Sequence, residues 1–444
     1  MTFLSRFLLV GFVALLFISV APLAVAQECG SVPTDRCVVT QTTTFTPGTY
    51  SLPNGINFAA SFVTLDCNGA TLQGSGLDGS TGITLNESVT DITIKNCVIH
   101  SYIAGMELDF GNISNSVFQS NTIKNNLYGM RMSTNINTVE TEYSFNNMIT
   151  SNSFLFNEID ALILSQFSNT TITNNIFEGT SRFALYVDGP YTLIDGNTFN
   201  NTGTVTLHGS MPPEPISANS TVTNNDFTKH SDIVFDGVFD SLISGNTIDQ
   251  QSTAQVGITL KQSARNEVVG NTISGSTRAG MDVMGGMLTS NDNFIHENNF
   301  KDNAISAQDF GAGNRWNTSL IGNYWSDYDT AEEGCADSNV DNICDSPYTI
   351  AGGLSQDALP QTGLFSTIPP PSLDAISPIT VDESGDVVVV VNAESSLPLD
   401  YSIDGQHFVQ DPVNENIFTW QTNFADAGGY LFTVVVTDSN NLKR

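Results

Sequence analysis

The chain has 444 residues, enough for two or three domains, and only 14% of them are charged, against about 25% in an ordinary globular protein. Lys and Arg number 14 against 46 Asp and Glu, a formal net charge of -32. Nothing here could neutralise a phosphate backbone, which excludes nucleic acid as a partner, whereas cations or neutral glycans suit such a surface.

Residues 1–26 read as a signal peptide. Arg6 supplies the positive end, Leu8 to Val20 is apolar, and Ala24-Val-Ala26 offers a small-residue cleavage site. The expected product is secreted, extracellular or at the cell surface, and periplasmic if the host has two membranes. No later stretch approaches the ~20 apolar residues of a membrane span. Six cysteines then sit in an oxidising compartment, with 15 connectivities open. The pairs favoured are Cys29–Cys37, Cys67–Cys97 and Cys335–Cys344. Cys67 and Cys97 follow equivalent segments, Thr64-Leu-Asp and Ile94-Lys-Asn. On adjacent coils of a parallel stack they would lie ~4.8 Å apart, within disulfide reach.

Residues 27–60 show little repetition and are expected to form an N-terminal cap on the repeats. From about 61 to 330 two short patterns recur in step. One is Asn-x-(Ile/Phe), as in Asn121-Thr-Ile123, Asn152-Ser-Phe154, Asn175-Ile-Phe177, Asn197-Thr-Phe199, Asn225-Asp-Phe227 and Asn246-Thr-Ile248. Steps of 21 to 31 residues between successive asparagines mark a solenoid, in which each coil buries its apolar face only against its neighbours. The other is a short alternating strand, as in Gly82-Ile-Thr-Leu85, Gly105-Met-Glu-Leu108, Ala184-Leu-Tyr-Val187 and Gly257-Ile-Thr-Leu260. The asparagines are expected at left-handed corners, bonding one another along the axis, with the following Ile or Phe pointing inward.

These strands and corners, with the opening Leu65-Asp-Cys-Asn-Gly-Ala-Thr-Leu-Gln-Gly74, resemble the NosD-like, carbohydrate-binding and sugar-hydrolase group of right-handed parallel β-helix proteins. The resemblance implies an all-β fold, a right-handed parallel β-helix. It implies activity only weakly, since this coil hosts lyases, hydrolases, epimerases and non-enzymes.

Residues 331–365 form an acidic terminal loop. Asp337, Asn339, Asp341 and Asp345 stand at relative positions 1, 3, 5 and 9, and Ile343 could add its carbonyl. The spacing resembles Ca2+ loops of EF-hand-like and thrombospondin-repeat-like proteins, with Asn342 at the sharp-turn position and Tyr348 where Glu usually closes the site. Ca2+ is the cofactor this implies. Residues 366–373 are a Pro-rich linker. Residues 374–444 hold longer alternating strands, and Asp426-Ala-Gly-Gly-Tyr430 resembles the tyrosine corner of immunoglobulin-like sandwiches. This small β-sandwich lacks an obvious final strand.

Stacking the alternating strands lines up the residue just after each: Asn86, Asp109, Ser133, Ser165, Asp188, His208, Asp236, Lys261, Met284. Asp188, His208, Asp236 and Lys261 are then neighbours on one face, and Tyr186 and Asp282 flank them in the next row. A carboxylate–imidazole–carboxylate row can do general acid–base work on a glycan or hold a cation. The five histidines show no metal spacing, and Met106, Met130 and Met281 fall at inward positions. The favoured function is an exported β-helix protein that binds polysaccharide or cell-surface glycan. The alternative is a carbohydrate-active enzyme (glycoside hydrolase, polysaccharide lyase or epimerase) working on that face. A further alternative is a periplasmic accessory protein of the NosD kind.

Overall fold

A computed structural model describes residues 27–365 apart from short segments at 77–78, 86–87, 109–110, 134–142, 210–216, 254–255 and 286–288, together with parts of 372–438. The signal peptide, Asn86, Asp109, most of the Pro-rich linker and Tyr430 of the tyrosine-corner motif lie outside the described residues.

Every regular element described is a β-strand, and the chain winds them into a parallel β-helix. Three long parallel sheets run along it. The first, of 12 strands from Val38–Val39 to Ala307–Asp309, contains the alternating strands. The second, of 11 strands, runs from Thr43–Thr44 to Phe294–His296. The third, of 12 strands, holds the Asn-x-(Ile/Phe) segments and ends at Tyr324–Trp325. Two-residue strands at Val89–Thr90, Ile113–Ser114, Ser144–Phe145 and Phe167–Ser168 add a narrow fourth sheet between the first and second. The segment expected to cap the solenoid already contributes strands to all three long sheets, at Val38–Val39, Thr43–Thr44 and Thr49–Ser51. Edge pairing rather than the repeat motif recruits it.

Alternation explains the core. In Thr171–Thr173, Thr198–Asn200 and their equivalents the middle residue is buried and the outer two face solvent. Stacking then places like on like: Phe154, Phe177, Phe199 and Phe227 form a column with ring centroids 4.7 to 5.0 Å apart. Met106, Met130 and Met281 are buried in the same core.

The asparagines bond along the axis as expected. Asn175 Nδ2 donates to Asn197 Oδ1 at 3.0 Å, Asn197 to Asn225 at 3.0 Å, and Asn225 to Asn246 at 3.0 Å. Their backbone conformation, however, corrects the expectation. The left-handed residue is the one before each ladder asparagine: Ser120, Ser151, Asn174, Gly196, Asn224, Gly245 and Gly270. That residue turns the chain, and the asparagine after it points its amide inward, where it is buried.

All three favoured disulfides form, at Cys29–Cys37, Cys67–Cys97 and Cys335–Cys344. Cys67 and Cys97 lie on successive coils with Cα atoms 4.8 Å apart. Beyond the solenoid the pairing turns antiparallel. Asp386–Val390 pairs with Ile417–Gln421, and Leu399–Ile403 with Val434–Asp438. These small sheets share a core of Val389, Val391, Phe418 and Val436, in keeping with an immunoglobulin-like domain. Among the described residues no helix is long and apolar enough to cross a membrane.

Candidate functional site

The first sheet sets the register of the candidate row. Asp188 ends the strand Phe183–Asp188 and pairs with His208, His208 pairs with Asp236, and Asp236 with Lys261. The four side chains thus stand on consecutive coils. Gly189 holds the first in place: its φ is +150°, and a Cβ there would sit 1.7 Å from the Phe167 carbonyl oxygen. Asp282 follows Thr259 in the adjacent row that also contains Tyr186 and Thr206. It is buried and bound to Arg278 at 2.9 Å, so it does not join the other four.

Most carboxylates of this sheet have a cationic partner. Glu107 takes Arg131, Asp160 takes Arg182, and Asp236 takes Lys261 at 2.7 Å. Asp188 differs. Burial holds its carboxyl above the usual carboxylate range, the nearby His208 opposes that only in part, and its Oδ1 is buried with no hydrogen-bond partner among the described residues. The Tyr186 ring lies 5.8 Å from the His208 ring, and burial together with Asp188 and Asp236 pushes its hydroxyl up to about 12.

Two residues near this row were not legible as candidates. Asp232, at the approach to the Ile233–Asp236 strand, is pushed up to about 7 by burial. Its signal was a lone charge where most other coils carry Gly or Ala and one carries Thr204. Tyr143 has its hydroxyl raised by burial and by the charge of Asp188. It precedes a two-residue strand with no period to reveal it.

In the acidic loop Asp337 accepts the backbone N–H groups of Asp341 and Asn342, at 3.1 and 3.0 Å. Asn342 has a φ of 69°, as its sharp-turn position demands. Asn339 bonds the Asp341 carboxylate and Ile343 N–H donates to it, whereas Asp345 turns to Ser338. Among the described residues no three of His, Cys, Asp and Glu converge as a group that could hold a metal ion.

The family model described as periplasmic copper-binding protein (NosD) matches residues 42–211 and 215–330, well over half of the chain. The protein belongs to the NosD family of parallel β-helix proteins. Solved structures with the same coil include the periplasmic alginate epimerase AlgG, 17% identical over 63% of this chain and 66% of that one, with a TM-score of 0.39. The A-module of mannuronan C-5 epimerase AlgE4 from Azotobacter vinelandii is 15% identical over 60% of this chain and 90% of that one, with a TM-score of 0.36. The catalytic domain of a GH87 alpha-1,3-glucanase is 14% identical over 66% and 63%, with a TM-score of 0.43. At this distance they share the coil alone. No curated protein sequence matches the chain.

Proposed function

We propose that this is an exported polysaccharide-binding protein whose ligand lies along the outer side of the first sheet, across Asp188, His208, Asp236 and Lys261. The observation that carries this is the register: four polar side chains on consecutive coils at ~4.8 Å spacing, beside the Tyr186 ring. The family's name points instead to copper. The residues do not favour that, because the methionines at the recurring position are core and no cluster of His, Cys, Asp and Glu forms among the described residues.

A second reading, a carbohydrate-active enzyme, draws on Asp188. A carboxyl held toward its protonated form next to an imidazole is suited to general acid–base catalysis. Glycan-array binding and release of reducing ends or unsaturated products separate the two, measured on wild type and an Asp188→Ala/Asp236→Ala double variant. Binding without turnover, lost in the double variant, is the expected result. Turnover by wild type that vanishes in the variant would establish the enzyme instead. For the 335–345 loop we propose Ca2+ as ligand, supported by the left-handed Asn342 and by Asp337 wrapped on the loop backbone. Asp345 would have to leave Ser338 to join in.

A further inference from the structure

The corner between the narrow fourth sheet and the second sheet carries a left-handed residue on coil after coil. Six consecutive coils place Phe62, Asp91, Asn115, Asn146, Asn169 and Tyr191 there, with φ between 46° and 61°. Asn and Asp adopt this conformation at little cost, but a bulky aromatic does not. Burial does not repay the aromatics: Phe62 is 75% exposed and Tyr191 57%. An aromatic that is both strained and exposed is spent on something other than folding.

The side chains between the two aromatics indicate the use. Asn146 Nδ2 donates to Asn115 Oδ1 at 3.1 Å, and Asn169 Nδ2 donates to Asn146 Oδ1 at 2.5 Å. Each amide in this exposed ladder keeps hydrogen-bonding capacity for a ligand. Beside the ladder runs an open cleft in which Thr90, Ser114, Phe145 and Ser168 stand in register on consecutive coils. Phe145, 44% exposed, is thus an aromatic in a row of hydroxyls. Tyr143 lines the same cleft and is the side chain whose hydroxyl feels Asp188. Among the described residues no Lys or Arg lines the cleft, and the chain carries a net charge of -32, so an anionic polymer would be repelled.

We infer that this corner and cleft form a binding track for an uncharged polysaccharide. Phe62, Phe145 and Tyr191 offer apolar faces to sugar rings, and the amides and hydroxyls between them bond the ring hydroxyls. Coils repeat every ~4.8 Å, close to the length of one hexose in an extended glycan, and Phe62 and Tyr191 are five coils apart, ~24 Å. The inference rests on the polysaccharide-binding reading above and adds to it the ligand's charge class and a second contact surface.

The neighbouring coils supply the test variants: Phe62→Asn and Tyr191→Asn at the corner, Phe145→Ser in the cleft. Asn suits the left-handed backbone, so Tyr191→Asn alone and the triple variant should melt at or above the wild-type temperature. Affinity electrophoresis would use gels containing dextran, pullulan, galactomannan or xyloglucan as neutral polymers and alginate as an anionic one. The expected result is retardation of wild type by a neutral polymer and not by alginate, an affinity at least tenfold lower in the triple variant, and a partial loss in Tyr191→Asn. Undiminished affinity in the triple variant overturns the track. If the Asp188→Ala/Asp236→Ala variant still loses binding in that case, the polysaccharide reading survives without it. Retardation by alginate alone likewise overturns the neutral-glycan assignment and leaves that reading standing, whereas no retardation by any polymer overturns both.

Discussion

Asparagine works here as a buried cross-brace. Asn197 accepts the Asn175 N–H at 2.9 Å and its amide at 3.0 Å, and donates to the Ile172 carbonyl at 2.8 Å and to Asn225 at 3.0 Å. Asn197→Ala would strand several of these buried groups, at roughly 1–3 kcal/mol each. The expected loss is about 3 kcal/mol, read from the urea midpoint and slope. Asp188 sits at the opposite extreme. Burial raises its folded value above the unfolded 3.8, so ionising it at neutral pH works against folding. That penalty is complete above the folded value and disappears as pH falls to 3.8. Asp188→Asn should therefore melt higher than wild type at pH 7 and equally below pH 3.8, while glycan binding weakens. A carboxylate carried at such a cost fits the glycan-binding role proposed for it above.

Adjacent coils are also tied by single side chains on their outer faces. His296 is buried on the second sheet, with Nε2 3.0 Å from Glu267 on the preceding coil and Nδ1 3.0 Å from Glu297. Burial alone would lower the imidazole, but the hydrogen bonds and charges of the two glutamates raise it overall, while Glu267 is lowered chiefly by its bond to His296. The His contribution is present in full below 6.5 and lost as pH rises through its folded value. The Glu267 contribution is present above 4.5 and lost as pH falls. The bridge is therefore strongest between about 4.5 and 6.5. The gap in melting temperature between wild type and His296→Gln should peak in that window and shrink at higher pH. The acidic loop makes a separate prediction: Ca2+ added to chelator-treated protein should raise the melting temperature, and Asp337→Ala should abolish the rise. Much of this was legible in the chain. Strands of the Gly-Ile-x-Leu kind recur often enough to fix which residues stack, so the order Asp188, His208, Asp236, Lys261 could be read directly. Two kinds of feature could not. Two-residue strands such as Ser144–Phe145 have no period, which hid the fourth sheet and with it Tyr143 and the cleft. Pairing within a turn is equally invisible, so the engagement of Asp282 with Arg278 emerged only in three dimensions.

A solenoid has no centre, and its stability is a sum of coils and interfaces that can fray from either end. Here the ends are not alike. The N-terminal coils are stapled by Cys29–Cys37 and Cys67–Cys97, whereas the last coils depend on buried carboxylates. The asparagine ladder runs in one direction, each amide donating onward through Asn271, Asn298 and Asn323. An acceptor must end it, and Asp357 does so. Its Oδ2 accepts the Asn323 N–H at 2.6 Å and the Trp325 indole N–H at 3.0 Å, and Oδ1 accepts the Leu359 N–H at 3.0 Å. Asp309 serves Trp316 in the same way, at 3.0 Å. Asp357→Leu would fill the space yet orphan two buried donors and one part-buried donor at the terminal coil, a loss that neighbouring coils cannot share out. Hydrogen exchange on this variant should show protection falling first at Tyr324–Trp325 and Asn299–Lys301, with Thr171–Thr173 and Ile94 still at wild-type levels. Uniform loss along the whole helix would show instead that the solenoid unfolds as one unit and that the ladder's terminus has no special place in it.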